Sequence, residues 1–439
     1  MYRPRWLQPV LWGLVSFAVA CDLTNPGVAT PDAAIYFPVA LALSPQMCGS
    51  GPCTLYVANS NFDLRYRTGS MQALDLERVG AAVRDCGEPP CEFPDYGSFI
   101  RPHGEVLIGS YAGGIAVSPE GDRVYVPIRS DANLTYIDVS ADGGLDCGGR
   151  GEKHECASAH ERGRQGSSNA RGLSMPRDPI TVLAGPLGPA PGGGQSGNFI
   201  VTGHGDGSVT LFLEQDEGGG IKAPVLIDVD DGYPEGLSAL DYDSLTATLY
   251  GTTRAEALFV SGGIAVNPTL VERSFVYQSA SWRYAGLDDG SDTRDVAVDA
   301  QARRAYVISR RPRALLIVDL DAQASSGQVS VSGMVPLGDG PSKVKVGYFN
   351  EANKRLIFVS CFDAPAIHVI DADLRRLSAV ITGFGGPFDI AVDQARGFIY
   401  VADFSSSVIR VVDISQLTEG LGATVVATLG EPRSVKVVQ

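Results

Sequence analysis

Residues 386–415 read GPFDIAVDQARGFIYVADFSSSVIRVVDIS, three short apolar runs separated by two polar turns. The runs are rich in β-branched and aromatic residues, and stretches such as SPEGD, DQARG and NEANK supply turns, so the pattern predicts strands. Three landmarks recur in the same order along the chain. A first apolar run at 390–392 has counterparts at 115–117, 296–298, 344–346 and, less cleanly, 40–42. After a turn comes an aromatic residue followed by valine, at Tyr56, Tyr125, Tyr306, Phe358 and Tyr400. A third run closes on Asp75, Asp138, Asp319, Asp371 and Asp413. Weaker copies at 197–216 and 236–260 bring the repeats to seven, and the bare unit, from Asp371 to Asp413, is 42 residues long. A period near 40 with three or four β-runs is that of a propeller blade, a sheet that buries both faces only by stacking around a ring. The expected fold class is all-β, a single β-propeller over 34–439 with cysteine-containing loop insertions. Seven blades are preferred, with 434–438 as the strand that closes the ring. Because GEPRSVKVVQ at the C-terminus matches GGPFDIAVDQ, eight blades are the alternative. Residues 141–196, which contain PLGPAPGGGQSG, are expected to be an exposed Gly/Pro-rich insertion.

Two of the second runs, LYVANS at 55–60 and IYVADF at 399–404, resemble the YVTN type of propeller repeat. The resemblance covers essentially everything after residue 33. It implies a ring whose first strands line a central channel, in a secreted or lipid-anchored bacterial protein. It carries no common activity, although some propellers of this type resemble lactonases.

The N-terminus holds a separate signal: Arg3 and Arg5, an apolar stretch from Leu11 to Ala20, then Cys21. This is the layout of a secretion signal, and the stretch is short of the roughly 20 residues of a membrane span. Ala18, Val19, Ala20 and Cys21 resemble a bacterial lipobox, with Ala18 where Leu is preferred. Lipidation of Cys21 is therefore expected, simple cleavage near Ala20 or a retained anchor being the alternatives. Residues 1–20 are then the signal peptide and 21–33 a flexible tether. The expected address is the bacterial cell envelope, lipid-anchored to a membrane, periplasmic or surface-exposed.

Net charge is −15, and loss of Arg3 and Arg5 with the leader leaves 33 basic against 50 acidic residues. With no basic block or aromatic-and-arginine stripe, nucleic acid is excluded as a partner. Apart from Cys21, the cysteines fall as Cys48 and Cys53, Cys86 and Cys91, and Cys147 and Cys156, with Cys361 alone. Six cysteines allow 15 pairings. Three local bridges are expected because each pair sits within one loop, against a zinc site, for which the Cys-x4-Cys spacing is too wide. Cys361 reads as a packed thiol at a strand end.

No cofactor is predicted. DVDDG (228–232) and DDGSD (288–292) gather carboxylates that could hold calcium but lack the twelve-residue calcium loop, and His154 and His160 alone have a paired spacing. There is no Gly-x-Ser-x-Gly elbow and no phosphate-cradling loop, and no catalytic residue is assigned. What propeller topology does predict is convergence: loops joining second to third runs share one face at the channel mouth. They hold Asn59, Asn61, Asp63, Arg65, Arg67, Arg129, Asp131, His204, Asp206, Arg254, Arg310, Arg311, Asp363 and Asp403. The expected function is a ligand- or protein-binding scaffold, its partner another envelope protein or a glycan. The alternative is a hydrolase or lactonase-like enzyme working at the same mouth.

Overall fold

The computed structural model describes residues 27–433 except 150–153, 165–172, 187–196, 216–222, 232–234, 247, 255–257, 272–273, 280–282, 287–291, 323–329, 350–353, 418–419 and 421; within 258–286 it describes backbone only. The structure is all-β and forms a single β-propeller. Seven sheets of four or five strands follow one another along the chain. Their innermost strands are Pro38–Leu43, Ala116–Val117, Pro179–Pro186, Leu237–Asp243, Thr293–Asp299, Pro341–Phe349 and Pro387–Asp393. Each neighbours the next, and the last returns to the first, so the seven enclose a channel. Six sheets are described with side chains throughout their main strands. In the fourth, side chains are described only for the two inner strands, Leu237–Asp243 and Thr248–Thr253.

The three innermost strands of every sheet run antiparallel in chain order, each turning back on its predecessor. The aromatic landmarks fall on the second strands, where Tyr56, Tyr125, Tyr306, Phe358 and Tyr400 are wholly buried between neighbouring sheets. Each presents a large apolar face to the next blade, so these side chains supply much of the stacking energy, about 2 kcal/mol apiece.

Two expectations about organisation change. Residues 141–196 are not wholly an exposed insertion: Leu145–Asp146 and Glu161–Arg162 edge the second sheet, and Pro179–Pro186 is the inner strand of the third. Closure also differs. The proposed closing strand at 434–438 lies outside the described residues, and the first sheet already has four strands of its own within 38–108. The seam is instead crossed at the outer edge. Between the third and fourth strands of the first sheet the chain forms a helix, Leu76–Asp85, capped by Asp75, whose side chain accepts from the N–H groups of Glu77 and Arg78. A short strand, Cys91–Phe93, follows and pairs parallel with Thr424–Leu429, the outer strand of the seventh sheet. Leu76, Val79, Cys91 and Phe99 from this insertion pack with Tyr400, Val411 and Leu429 in one core.

Candidate functional site at the channel and its mouth

The inner strands enclose a cavity of about 430 Å³. Its lining side chains are aliphatic apart from two glycines, Thr181 and a belt of charge: Asp241, Asp295 and Asp389 against Lys343 and Lys345. Lys343 Nζ lies 3.4 Å from Asp295 Oδ1 and Lys345 Nζ 3.7 Å from Asp389 Oδ1. The carboxylates also staple neighbouring sheets. Asp241 accepts from Val298 N at 2.6 Å, Asp295 from Val344 N at 2.8 Å and Asp389 from Leu41 N at 2.8 Å, the last across the ring seam. Lys345 leaves 41% of its side chain exposed towards the channel. Desolvation pushes Asp241 up to about 6 and raises Asp295; Asp389 raises Lys345 by favouring its charged form.

Strand register brings the predicted face to one end of the ring, because the start of each inner strand pairs with the end of the second: Pro38 with Asn59, Pro179 with His204, Leu237 with Thr253, Pro341 with Cys361, Pro387 with Asp403. The residues of this face divide into two kinds.

Asn59, Asn61, His204 and Asp403 are fully buried and engaged inside the protein. The Asn59 amide accepts from Tyr36 N at 3.2 Å and donates to Ser70 Oγ at 3.0 Å. Asn61 donates to Tyr66 O at 2.7 Å and Ser110 Oγ at 2.9 Å. His204 Nε2 meets Thr202 Oγ1 at 3.0 Å, and burial lowers its imidazole below the usual range. Asp403 accepts from the N–H groups of Gly385 and Gly386 at 3.0 and 2.7 Å. These four position loops and present nothing to a ligand. Cys361, at the equivalent strand end, is a free and fully buried thiol pushed up to about 11 by burial, which leaves it inert.

The others reach the surface. Asp63 and Arg65 form an exposed pair at 3.6 Å, and Arg67 N donates to Val28 O. Arg129 pairs with Asp178 at 2.5 Å, Asp131 lies 3.9 Å from Arg164, and Asp206 caps its own turn by accepting from Ser208 N. Arg311 and Asp363 are exposed. Arg254 and Arg310 converge with a residue that the sequence did not single out, Arg294. Thr293 Oγ1 donates to Thr253 O at 2.9 Å and accepts from Thr253 N at 3.1 Å, which sets Arg254 beside Arg294, and Arg310 N donates to Asp292 O at 2.8 Å. Arg294 pairs with Asp292 at 2.6 Å. Burial, then the charge of Arg294, holds Arg254 and Arg310 below the usual guanidinium range. On the other side of the mouth lies a chain of edge-on and tilted rings, Phe37, Phe62, Tyr111, Phe362, Phe388 and Phe404, with centroids 5.1 to 6.5 Å apart.

The three local disulfides are formed: Cys48–Cys53 (S–S 2.01 Å), Cys86–Cys91 and Cys147–Cys156 (2.08 Å). His160 stacks on Tyr136 at 4.2 Å and meets its carbonyl oxygen at 3.0 Å. Among the described residues no three His, Cys, Asp or Glu side chains gather into a metal-holding group. Of the two carboxylate-rich turns, 232 and 288–291 lie outside the described residues.

No protein-family model matches the chain, and no curated protein matches it. Solved structures do. Hydrazine synthase of Kuenenia stuttgartiensis superimposes with a TM-score of 0.56 at 13% identity, over 89% of this chain and 98% of that one. A Bacteroides fragilis protein provisionally assigned as a 6-phosphogluconolactonase superimposes with a TM-score of 0.55 at 14% identity, over 92% and 98%. At such identities the likeness establishes the propeller fold and nothing about chemistry.

Proposed function

We propose that the protein is a lipid-anchored propeller of the bacterial cell envelope, built from seven blades of YVTN type with the fourth sheet counted among them, and that it binds a ligand or partner protein at the channel mouth. The observation that carries this reading is the make-up of that mouth: an arginine group, Arg254, Arg294 and Arg310, on one side and a broad aromatic platform on the other. Arginine and aromatic side chains are the residues that anchor recognition surfaces, through bidentate hydrogen bonds and large rigid contact area. In a chain of net charge −15 the arginines make a local exception that favours an acidic or glycan-bearing partner. Cross-linking on intact cells should capture a partner that is lost when Arg254→Ala and Arg310→Ala are combined; capture unchanged by the pair would refute the mouth as the binding surface. The anchor is checked separately, since Cys21→Ala should release the protein from membranes.

A second reading is supported by the charge belt. Carboxylates with raised affinity for protons, close to lysines in a channel, are the kind of groups that serve as general acids and bases. On this reading the soluble protein opens a lactone or ester, and Asp241→Asn abolishes turnover. A screen of lactones, sugars and peptidoglycan fragments, with and without divalent metal, separates the two: turnover sensitive to Asp241→Asn sinks the binding reading, and stabilisation without turnover supports it.

A further inference from the structure

The loop between the second and third strands of the first sheet breaks two local rules at once. Leu64 adopts φ +53° and Asn61 φ +52°, the left-handed region that a bulky side chain such as leucine avoids. In that conformation Leu64 is 55% and Phe62 53% exposed, and Val28, bridged to Tyr66 alongside, is 62% exposed. Nothing about the loop is loosely held. Asn61 is buried and grips both backbone groups of Tyr66, Leu64 N donates to Asn61 O at 3.0 Å, and the Phe62 ring lies against Tyr111 and Phe404 at 5.9 and 5.6 Å. The fold thus holds a strained leucine, with a phenylalanine and a valine beside it, out in water on a firmly built loop, a local conflict of the kind that marks an interaction surface. Arg65 and Arg67 flank them, and Arg433 reaches Tyr66 Oη at 3.3 Å.

The segment that leads into the first sheet indicates the occupant. Residues 27–30 run along this same loop, Arg67 N donating to Val28 O at 3.0 Å and Thr30 Oγ1 meeting Thr68 Oγ1 at 2.9 Å. Cys21 is six residues before Gly27, so an acyl chain on it lies within about 20 Å of the loop. We propose that Phe62, Leu64 and Val28 rest in the boundary between headgroups and acyl chains of the membrane that holds the protein, with Arg65 and Arg67 among the headgroup phosphates, so that the first-sheet side of the mouth meets the bilayer and the arginine side stays open to a partner. Aromatic and leucine side chains with arginines at their flank are what that boundary accepts. The choice of a bilayer rather than a protein surface rests on the anchored reading given above.

The test uses the full-length protein as isolated, bound to vesicles of zwitterionic lipid with a third of anionic lipid, with bromine on the acyl chains. Leu64→Trp places an indole on the loop. Leu374→Trp, at an exposed turn on the opposite end of the ring, is the control, and both are read against the parent protein, whose tryptophans are Trp6, Trp12 and Trp282. Brominated lipid should quench the indole of Leu64→Trp by at least about twofold and leave that of Leu374→Trp unchanged, since apolar side chains seated in that boundary are buried about 5–10 Å into it, beside the acyl chains. Leu64→Gly, which suits the left-handed backbone, should speed dissociation from vesicles roughly tenfold without lowering the thermal midpoint. Mass spectrometry of Cys21 separates the two readings. A lipidated protein that pellets with vesicles but shows equal quenching at both positions overturns the contact and keeps the anchor. An unlipidated protein still quenched at Leu64→Trp keeps the contact and removes the anchor. An unlipidated protein that stays in the supernatant removes both.

Discussion

Glu214 is wholly buried, yet it accepts from Arg123 at 2.7 Å, Tyr125 at 2.5 Å and Asn198 at 3.2 Å, joining the second and third sheets through a charge pair. Burial raises the Glu214 carboxyl, so the pair survives only because all its partners are in place. Arg123→Met should therefore cost about 3–5 kcal/mol in denaturant unfolding, whereas Arg123→Met with Glu214→Gln should recover a large part, since no unpaired charge is then left inside. Equal losses in the single and double variants would show that packing, not charge, holds this seam. Asp241 makes the complementary case. Its folded-state value of about 6 lies above that of an unfolded aspartate, so the folded protein binds a proton that the unfolded chain has released. The resulting stabilisation is complete below about pH 4 and disappears as pH rises through 6. The stability of wild type relative to Asp241→Asn should accordingly rise by about 1–2 kcal/mol between pH 7 and pH 4.5. A pH-independent difference between the two would refute the shift.

On the scale of strands and insertions, the blade pattern was legible because each landmark has a repeated physical job. An aromatic at every second strand fills the gap between sheets, and an aspartate closes many third strands, where Asp75, Asp319 and Asp413 accept hydrogen bonds from the following N–H groups. The face was legible for the same reason, topology alone deciding which loops share an end. Which side chains point outward there was not, because a strand-end residue is equally able to turn inwards. Asn59, His204, Cys361 and Asp403 all occupy that position and all turn inwards. The channel belt was missed although its signal was present: Asp295 and Lys343 hold corresponding positions in RDVAV and SKVKV, so a charge recurs where apolar residues line the wall. Closure was hidden for another reason. Cys91–Phe93 is three residues long, too short for any period, and is held by Cys86–Cys91, by Gly430 N donating to Phe93 O at 3.0 Å and by Thr428 Oγ1 donating to Glu92 at 3.1 Å. Replacing Cys86 and Cys91 by serine should cost about 2 kcal/mol and speed amide exchange in Thr424–Leu429 more than in Arg376–Thr382, the outer strand of the sixth sheet. Uniform acceleration would mean that the bridge does not guard the seam.

As a whole molecule the protein is a set of small sheets, none able to bury both faces by itself, that gain stability only from their neighbours. In an open array the end units fray first. Here the seventh sheet is joined to the first at two radii: Asp389 staples Leu41 in the channel, and Cys91–Phe93 extends the outer edge. Elsewhere around the ring, Asp295 staples Val344, Arg303 bridges to Asp243 at 2.5 Å and Arg355 to Asp299 at 3.0 Å. A closed ring in which every interface is tied has no preferred end, so weakening any one interface should lower the stability of the whole. Asp389→Ala, at the seam, and Asp295→Ala, on the far side, each remove an acceptor from a buried backbone N–H and a partner from a lysine, at about 1–3 kcal/mol each. Calorimetry should show one transition in both variants, moved down by similar amounts. Splitting into two transitions for Asp389→Ala alone would show that the seam is a true end and that the sheets fold as a linear array brought into contact rather than as a ring.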